Sequence, residues 1–392
     1  MYAKTGGLVK AELPGRLAAL LATLFLGVFL LYPLWVILAR SFAGADIGAA
    51  LALLTSDITK HRLWFTVSQA GLSTLGTILI GVPVGVLFAR REFPGKHFLL
   101  ALFTVPFVLP TVVVAAGFLA LLGPNGLLGI NLRNTLAIIL IAHIFFNFAI
   151  IARSVHGFLA GRGLALERAA AMLGAGPLRR FWRVTLPAAL PAIFASSLLV
   201  FLFCFTSFGI ILILAPQAVF GTLEVEIYRL SARLFRLDLA GVLVLVQLGV
   251  ALVISVVYTR LQSRFQTEST QGELAALPSG GGSFVVIGAA TLFIAAPIAS
   301  LVAGAFTAHG SLGFGAFAAA FRAGGTLSYQ SFAHVLGNSL KFAGLSAVLA
   351  TVVGLLFAYA VVRGQQRWLD VFSLLPLATS PVTLGFGYLL AY

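Results

Sequence analysis

Long apolar runs, each about as long as a bilayer is thick, alternate with short polar segments along the 392-residue chain. The pattern predicts nine membrane-spanning segments, at 17–39, 64–89, 98–122, 135–152, 187–215, 239–259, 284–307, 335–362 and 371–392. All of them should be helices, because lipid cannot satisfy the hydrogen bonds of an exposed backbone. The first run is too long for a signal-peptide core, so it is interpreted as a retained helix.

Composition and charge support this interpretation. Hydrophobic residues make up 60% of the chain and charged residues 9%, whereas soluble domains carry about 25% charged residues. If the N-terminus is cytoplasmic, the predicted inner segments hold 16 of the 25 Lys and Arg residues, as the positive-inside rule expects. The net charge of +14 therefore indicates orientation against membrane lipid rather than nucleic-acid binding.

The two halves of the chain contain a similar sequence. "AGLSTLGTILIGVPVGVLFARR", from Ala70, is matched by "AGLSAVLATVVGLLFAYAVVRG", from Ala343. Further matched pairs are Gly81 with Gly354, Arg90 with Arg363, Pro33 with Pro297, and Gly117 with Gly387. An even number of predicted spans separates the copies, which indicates a parallel internal repeat of the kind used by transporters.

The repeat predicts three regions. Residues 1–260 form a first unit of six spans, 261–282 a polar linker ending in Pro, Ser and Gly, and 283–392 a partial second unit of three spans. Because the second copy ends within an apolar run, we expect the sequence to be a fragment of a protein with about three more spans.

One basic segment, within 160–187, interrupts the apolar pattern with "LERAAAMLGAGPLRRFWRVTLP". Its first part favours a helix, Gly174 is suited to a C-terminal cap, and Pro177 is suited to begin a second short helix. Its alanines and arginines fit either a docking surface for another protein or an interfacial loop whose arginines meet lipid.

The same segment resembles the cytoplasmic EAA loop of binding-protein-dependent ABC importer permeases, which sits in a groove of the ATP-hydrolysing subunit. The resemblance assigns ATPase coupling to Glu167, Arg168, Ala169, Ala170, Gly174, Leu186 and Pro187. The sequence departs from the family pattern at one position, because Arg168 occupies the usual acidic position and Glu167 precedes it. On a helix this moves the carboxylate by about 100°.

The stretches "AHIFFNFAIIAR" (142–153) and "TLEVEIYR" (222–229) resemble fused two-unit permeases of the thiamine and ferric-iron type. The resemblance implies an all-α, polytopic helical bundle of the type I importer class in the bacterial inner membrane, with thiamine or ferric iron as substrate. It also implies an ATPase dimer and an extracytoplasmic solute-binding protein as partners. The sequence contains no G-x-x-x-x-G-K-[ST] motif, so ATP hydrolysis is expected on a separate chain; neither enzymatic activity nor a cofactor is expected.

Polar residues within the spans are candidates for the translocation path. His143 and Asn147 lie four apart on one predicted helix, and Thr206 and Ser207 lie in the next. Such groups face the bundle interior, where they either bond a neighbouring helix or line a pathway. The segment 216–238 is expected on the outer surface, either as a helix that contacts the binding protein through charge or as a solvated loop.

Two other function classes fit the sequence less well. Ion-coupled secondary transporters are also built from repeats, but they usually keep ionisable relays at membrane depth, and the predicted spans contain no Asp or Glu. A membrane-embedded enzyme is disfavoured because the sequence contains neither a zinc-type His pair nor a clustered acidic site, so no metal site is expected.

Overall fold

A computed structural model describes residues 13–42, 47–161, 165–265, 281–307, 332–362 and 379–392, with residues 277–278 and a few isolated positions between them. Its helices are α1 (Leu13–Leu26), a π-turn (Gly27–Leu31), α2 (Tyr32–Phe42), α3 (Ile47–Thr55), α4 (Asp57–Arg90), α5 (Lys96–Leu102), α6 (Val105–Val108), α7 (Thr111–Leu122), α8 (Leu136–Ala160), α9 (Ala165–Met172), α10 (Pro177–Arg180), a π-turn (Phe181–Thr185), α11 (Leu186–Phe205), α12 (Gly209–Leu214), a 3-10 turn (Ala218–Phe220), α13 (Leu223–Tyr228), a π-turn (Arg229–Arg233), α14 (Leu237–Phe265), α15 (Gly281–Phe306), α16 (Phe332–Val362) and α17 (Pro381–Ala391). Two short strands, β1 (Arg91–Glu92) and β2 (Leu277–Pro278), pair in parallel.

Seven helices in the described part of the chain are long and apolar enough to cross a membrane. They are Pro14–Ser41, Asp57–Arg90, Leu136–Ala160, Pro177–Phe205, Leu237–Leu261, Gly282–Phe306 and Phe332–Val362, and the bent pair Lys96–Val108 with Thr111–Leu122 makes an eighth. Eight of the predicted runs are thus found as spans. The ninth, 371–392, corresponds to α17, which is too short to cross by itself, and residues 371–375 lie outside the described residues.

The third predicted span bends by 102° between α6 and α7. Leu109 adopts an extended conformation at the bend, and Pro110 follows it. Proline disfavours helical backbone in the residue before it and has no N–H to continue the helix. Pro110 therefore accounts for the break in this span.

Small residues bring the central helices into close contact. A Cβ added at Gly81 of α4 would lie 3.0 Å from the Ile151 Cβ of α8, and one at Gly85 would lie 2.6 Å from the Ala152 carbonyl oxygen. α11 packs against both helices through a cluster that includes Ile193. These three helices form the core that carries the site described below.

Among the contacts between the two predicted units, two are reciprocal. A Cβ added at Gly117 of α7 would lie 2.7 Å from the Pro297 carbonyl oxygen of α15. A Cβ added at Gly387 of α17 would lie 2.9 Å from the Pro33 Cβ of α2. Because the sequence repeat pairs Pro33 with Pro297 and Gly117 with Gly387, the first span of each unit crosses the third span of the other at matching positions.

The predicted linker, 261–282, is helical at both ends. α14 continues to Phe265 and α15 begins at Gly281, so the linker is shorter than the sequence predicted. Between them only Leu277 and Pro278 are described, and they pair with Arg91 and Glu92 at the end of α4. Both flanking helices, α14 and α15, thus extend from their apolar sequences into the predicted polar linker.

Candidate functional site

The basic segment folds into two short helices joined by a glycine turn. α9 ends in a Schellman motif, in which Ala175 N–H donates to Ala170 O and Gly174 N–H donates to Ala171 O, both at 3.0 Å. Gly174 has a φ of +79°, which favours glycine, and Pro177 is the first residue of α10. The predicted C-cap and helix start are confirmed, while residues 162–164 lie outside the described residues.

The second short helix continues directly into the fifth span. A π-turn at Phe181–Thr185 connects α10 to α11, so that Pro177–Phe205 forms one long apolar helix. The sequence had predicted a second short helix from Pro177 and a fifth span that begins only at residue 187. Leu186 consequently packs into the helical core beneath the turn, whereas Pro187 is exposed.

Glu167 faces the protein rather than the solvent. Its Oε1 lies 2.5 Å from Arg90 Nη2 at the end of α4 and accepts a hydrogen bond of 3.3 Å from Thr185 Oγ1. Arg90 also donates to the Leu159 carbonyl oxygen at 3.1 Å. About one tenth of each charged side chain is exposed, 11% for Arg90 and 13% for Glu167. The ion pair therefore joins α9 to the ends of α4, α8 and α11.

The opposite side of the segment presents apolar side chains. Met172 and Leu173 are each 89% exposed. With them, Leu166, Leu178 and Trp182 form what we call the apolar tip. A hollow of about 530 Å³ beside the tip is lined by Gly174, Gly176, Pro177, Leu178, Arg179 and Trp182. Arg168 and Ala169 are exposed beside the tip, and Ala170 is half-buried.

His143 lies at the centre of a buried hydrogen-bonded chain. Its Nδ1 is 3.0 Å from Ser73 Oγ of α4, and its Nε2 is 2.8 Å from Ser207 Oγ, which follows α11. The tautomer decides which ring nitrogen donates. The imidazole therefore links α4 and α8 to the interruption between α11 and α12.

The other predicted pathway residues lie around the same interruption. Asn147 donates to the His143 carbonyl oxygen at 2.9 Å and contacts Cys204 Sγ at 3.5 Å. Thr206 Oγ1 donates to the Leu202 carbonyl oxygen at 3.0 Å. Gln69, which sequence reasoning missed, donates to the Cys204 carbonyl oxygen at 2.8 Å. The structure thus brings together all four candidates as hydrogen-bonding groups; whether they line a path stays a prediction.

Two of the three acidic residues of the segment 216–238, Glu224 and Glu226, are buried, whereas 40% of the Asp238 side chain is exposed. Glu224 and Glu226 are only 0% and 4% exposed, because α13 packs against α4 and α14. Glu226 pairs with Arg229 at 2.5 Å and with Arg62 at 3.6 Å, and the hydrogen bonds from Arg229 raise the pKa of that guanidinium. The predicted charged surface is therefore wrong for these two glutamates, while Asp238 pairs with Arg236 at the exposed end of the segment. The exposed tip of this segment consists of Arg233, Leu234, Phe235 and Arg236.

Glu224 has different surroundings from Glu226. Gln247 Nε2 of α14 donates to Glu224 Oε2. Ser380 and the backbone of Val382, at the start of α17, lie beside the carboxylate. Neither Gln247 nor Ser380 was singled out by sequence reasoning, although a lone Gln within an apolar run was an available signal.

The chain is similar to known membrane transport proteins. A family model described as "Binding-protein-dependent transport system inner membrane component" matches residues 81–267, which include the glycine-turn segment. The molybdenum transport system permease protein ModB of Mycobacterium tuberculosis (strain ATCC 25618 / H37Rv) is 34% identical over 186 residues, 45% of this chain and 70% of the relative. The chain belongs to this family. The predicted family resemblance is confirmed.

A second relative covers more of the chain. The thiamine transport system permease protein ThiP of Brucella suis biovar 1 (strain 1330) is 31% identical over 349 residues, which is 83% of this chain. The chain spans 61% of the length of that relative. A bacterial ABC transporter involved in alginate import has a similar fold, with a TM-score of 0.53 at 20% identity over 64% of this chain and 96% of that one. The all-helical importer-permease fold predicted from the sequence is therefore confirmed.

Proposed function

We propose that this chain is the membrane permease subunit of an ATP-driven ABC importer and couples closure of a separate ATPase dimer to alternating access. The observation that carries the proposal is the exposed apolar tip at Met172 and Leu173. The Arg90–Glu167 ion pair attaches the helix that carries this tip, α9, to the helical core. An exposed apolar patch beside a basic rim is typical of a protein-binding surface. Family membership supports the same assignment.

The geometry suggests how a displacement of the apolar tip would be transmitted to the membrane-spanning helices. Glu167 contacts Arg90 at the end of a 34-residue helix and Thr185 at the start of the fifth span. A displacement of α9 is therefore shared by α4 and α11. Closely packed helices move as rigid bodies. The displacement would therefore change the contacts between the two predicted units.

Orientation and partners follow from this assignment. The apolar tip and the arginines beside it face the cytoplasm of a bacterial inner membrane, and the N-terminus is cytoplasmic. Arg62, near the other end of α4, contacts Ala218. The exposed tip at Arg233–Arg236 therefore lies on the extracytoplasmic side, where it would contact a solute-binding protein. One structural neighbour is a transporter in complex with a periplasmic binding protein, which agrees with this arrangement.

We propose thiamine as the solute. A relative that matches 83% of this chain is named a thiamine permease, and the match extends beyond the first unit. Molybdate is the second candidate, because a ModB permease is 34% identical over a shorter stretch. Ferric iron, the other sequence-based expectation, has less support, since the relatives described above are named for thiamine and molybdenum transport. His143, Asn147, Thr206 and Ser207 are proposed to border the path.

The ion-coupled secondary transporter is disfavoured. Its mechanism needs an ionisable relay within the spans. Family membership instead supports an importer whose energy comes from a separate ATPase.

Capture of an ATP-hydrolysing ABC subunit from the same organism, by the chain in nanodiscs, tests the proposed function. Leu173→Glu should weaken capture at least about tenfold, because burying a carboxylate in an apolar groove is costly. Phe235→Glu is the matched control, since Phe235 is a 73%-exposed apolar residue at the opposite end of the bundle. No capture by the wild-type chain, or equal loss in both variants, would contradict the coupling role.

A further inference from the structure

A second hollow, of about 340 Å³, lies between the end of α4, the helix α10 and the start of α15. It shares only Pro177 with the hollow beside the apolar tip, so the two are distinct. Its volume is at the low end of the range for ligand pockets, about 300–1,000 Å³. The hollow is therefore large enough to hold a small ligand or one part of a larger one.

The lining of this hollow is rich in positive charge. It contains three guanidinium groups, from Arg90, Arg91 and Arg180, and one carboxylate, from Glu167. The carboxylate already pairs with Arg90 at 2.5 Å. Ser283, in the first turn of α15, also lines the hollow, and a helix N-terminus attracts negative charge. The lining therefore favours an anion.

Arg180 lacks a protein partner within the described part of the chain. Its Nε is buried there without a hydrogen-bond partner, and its guanidinium takes part in no ion pair of the described residues. Buried polar nitrogens are normally hydrogen-bonded, because burial removes their water. Since the guanidinium fork matches the oxygens of a phosphate or carboxylate, this orphan indicates a ligand with acceptor oxygens.

The hollow has a polar end and an apolar end, as a phospholipid does. Pro83 and Leu87 of α4 line it together with Arg90, and the helix from Pro83 to Arg90 covers about 10 Å. The apolar run 64–89 ends immediately before Arg90, where lipid headgroups are expected, whereas Pro83 lies deeper in the span and is exposed. Basic pockets between membrane helices at this depth bind the headgroups of anionic lipids.

We propose that this hollow binds the phosphate headgroup of an anionic phospholipid, with Arg180 as its main contact and the acyl chains against Pro83 and Leu87. A free phosphate would satisfy the guanidinium but leave the apolar wall uncovered. The site depends neither on the transported solute nor on the importer function. Because Glu167 lines the same hollow, the lipid would contact the segment that carries the apolar tip.

General attraction of surface arginines to a negatively charged bilayer is the competing explanation. It predicts that any exposed arginine of the segment contributes as much to lipid binding as Arg180 does. Arg183 provides the matched comparison, because it lies three residues later in the same helical stretch, is exposed and does not line the hollow. The difference between the two positions is therefore the decisive readout.

Native mass spectrometry of the full chain in detergent measures the binding of phosphatidylglycerol. Phosphatidylcholine is the zwitterionic probe, and glycerol phosphate is the phosphate without acyl chains. The wild type should bind phosphatidylglycerol in preference to both. Arg180→Gln should weaken this binding about tenfold, as expected for loss of a hydrogen bond to a charged group, whereas Arg183→Gln should bind like the wild type.

Ser283→Asp tests the site from a different helix. Its carboxylate would repel the phosphate, yet an acidic residue in the first turn stabilises a helix, so the variant should fold and still bind phosphatidylglycerol more weakly than the wild type. Equal binding of either comparison ligand by the wild type, or equal losses in Arg180→Gln and Arg183→Gln, would contradict the site. If Arg180→Gln lost ATPase capture with unchanged lipid binding, Arg180 would belong to a protein interface and the lipid site would be wrong.

Discussion

At the scale of single residues, the Arg90–Glu167 pair connects the exposed segment to the bundle. Glu167 occupies the position before the usual acidic residue of the family pattern, which raised the question whether it replaces that residue. Its carboxylate faces inward to Arg90 and Thr185, while Arg168 faces outward. We therefore propose that Glu167 positions the segment from inside, and that Arg168 and the apolar tip would make the contact with an ATPase.

Removal of one member of this pair should destabilise the chain. Arg90→Ala should lower the free energy of unfolding by about 1–3 kcal/mol, because it leaves a mostly buried carboxylate unpaired. The double variant Arg90→Ala, Glu167→Ala should cost less than the sum of the two single changes, as contacting residues do in a double-mutant cycle. Arg183→Ala, at an exposed position of the same segment, should have little effect. Additive single effects would show that the pair does not interact.

At the scale of elements, α4 owes its central role to small residues along one face. Gly76, Gly81 and Gly85 recur at spacings of five and four residues, and α8 packs against them through Ile144, Ile151 and Val155. Glycine is tolerated in such a helix because the neighbouring helix satisfies the packing and the lipid leaves no competing backbone partner. The contact is consequently sensitive to the size of each side chain.

Gly85→Val should separate α4 from α8. A Cβ at this position would lie 2.6 Å from the Ala152 carbonyl oxygen and 2.8 Å from the Val155 Cβ, so the helices must move apart. Overpacking of this kind costs about 1–3 kcal/mol, measurable as a lower unfolding temperature. Gly71→Val is the matched control on the same helix, because a Cβ there meets nothing within 4 Å. A similar loss in both variants would indicate helix propensity rather than close packing.

At the scale of the whole molecule, the two predicted units are held by equivalent crossings. Gly117 contacts Pro297, and Gly387 contacts Pro33, so each unit contributes one glycine and one proline to the two crossings. Ser300 adds a hydrogen bond of 2.9 Å to the Gly117 carbonyl oxygen. A reciprocal contact of this kind is what a two-fold relation between repeats requires. The division into two units is thereby supported, although it stays a prediction.

If the crossings hold the units together, Gly117→Val and Gly387→Val should weaken their association to a similar extent. A protease site inserted within 266–276 allows the chain to be cut, and co-purification of the two halves measures their association. Gly354→Val should leave it unchanged, because a Cβ at Gly354 meets nothing within 4 Å. Dependence on only one of the two crossings would contradict the reciprocal arrangement.

Local patterns determined a large part of this protein from its sequence. Apolar runs gave the spans because lipid permits only helices there, and Pro110, Gly174 and Pro177 gave the bend, the cap and the helix start because their backbone restrictions act within a few residues. The spacing around Gly174 also gave the family.

Only the tertiary structure decided which side chains are buried and what they meet. Ser73 and Ser346 occupy the same position in the repeat, yet Ser73 is fully buried against His143 and Ser346 is exposed. In the same way, Glu224 and Glu226 looked like surface charges and proved to be buried. Burial depends on which helix packs alongside, and that neighbour comes from a distant part of the chain that no local pattern can specify.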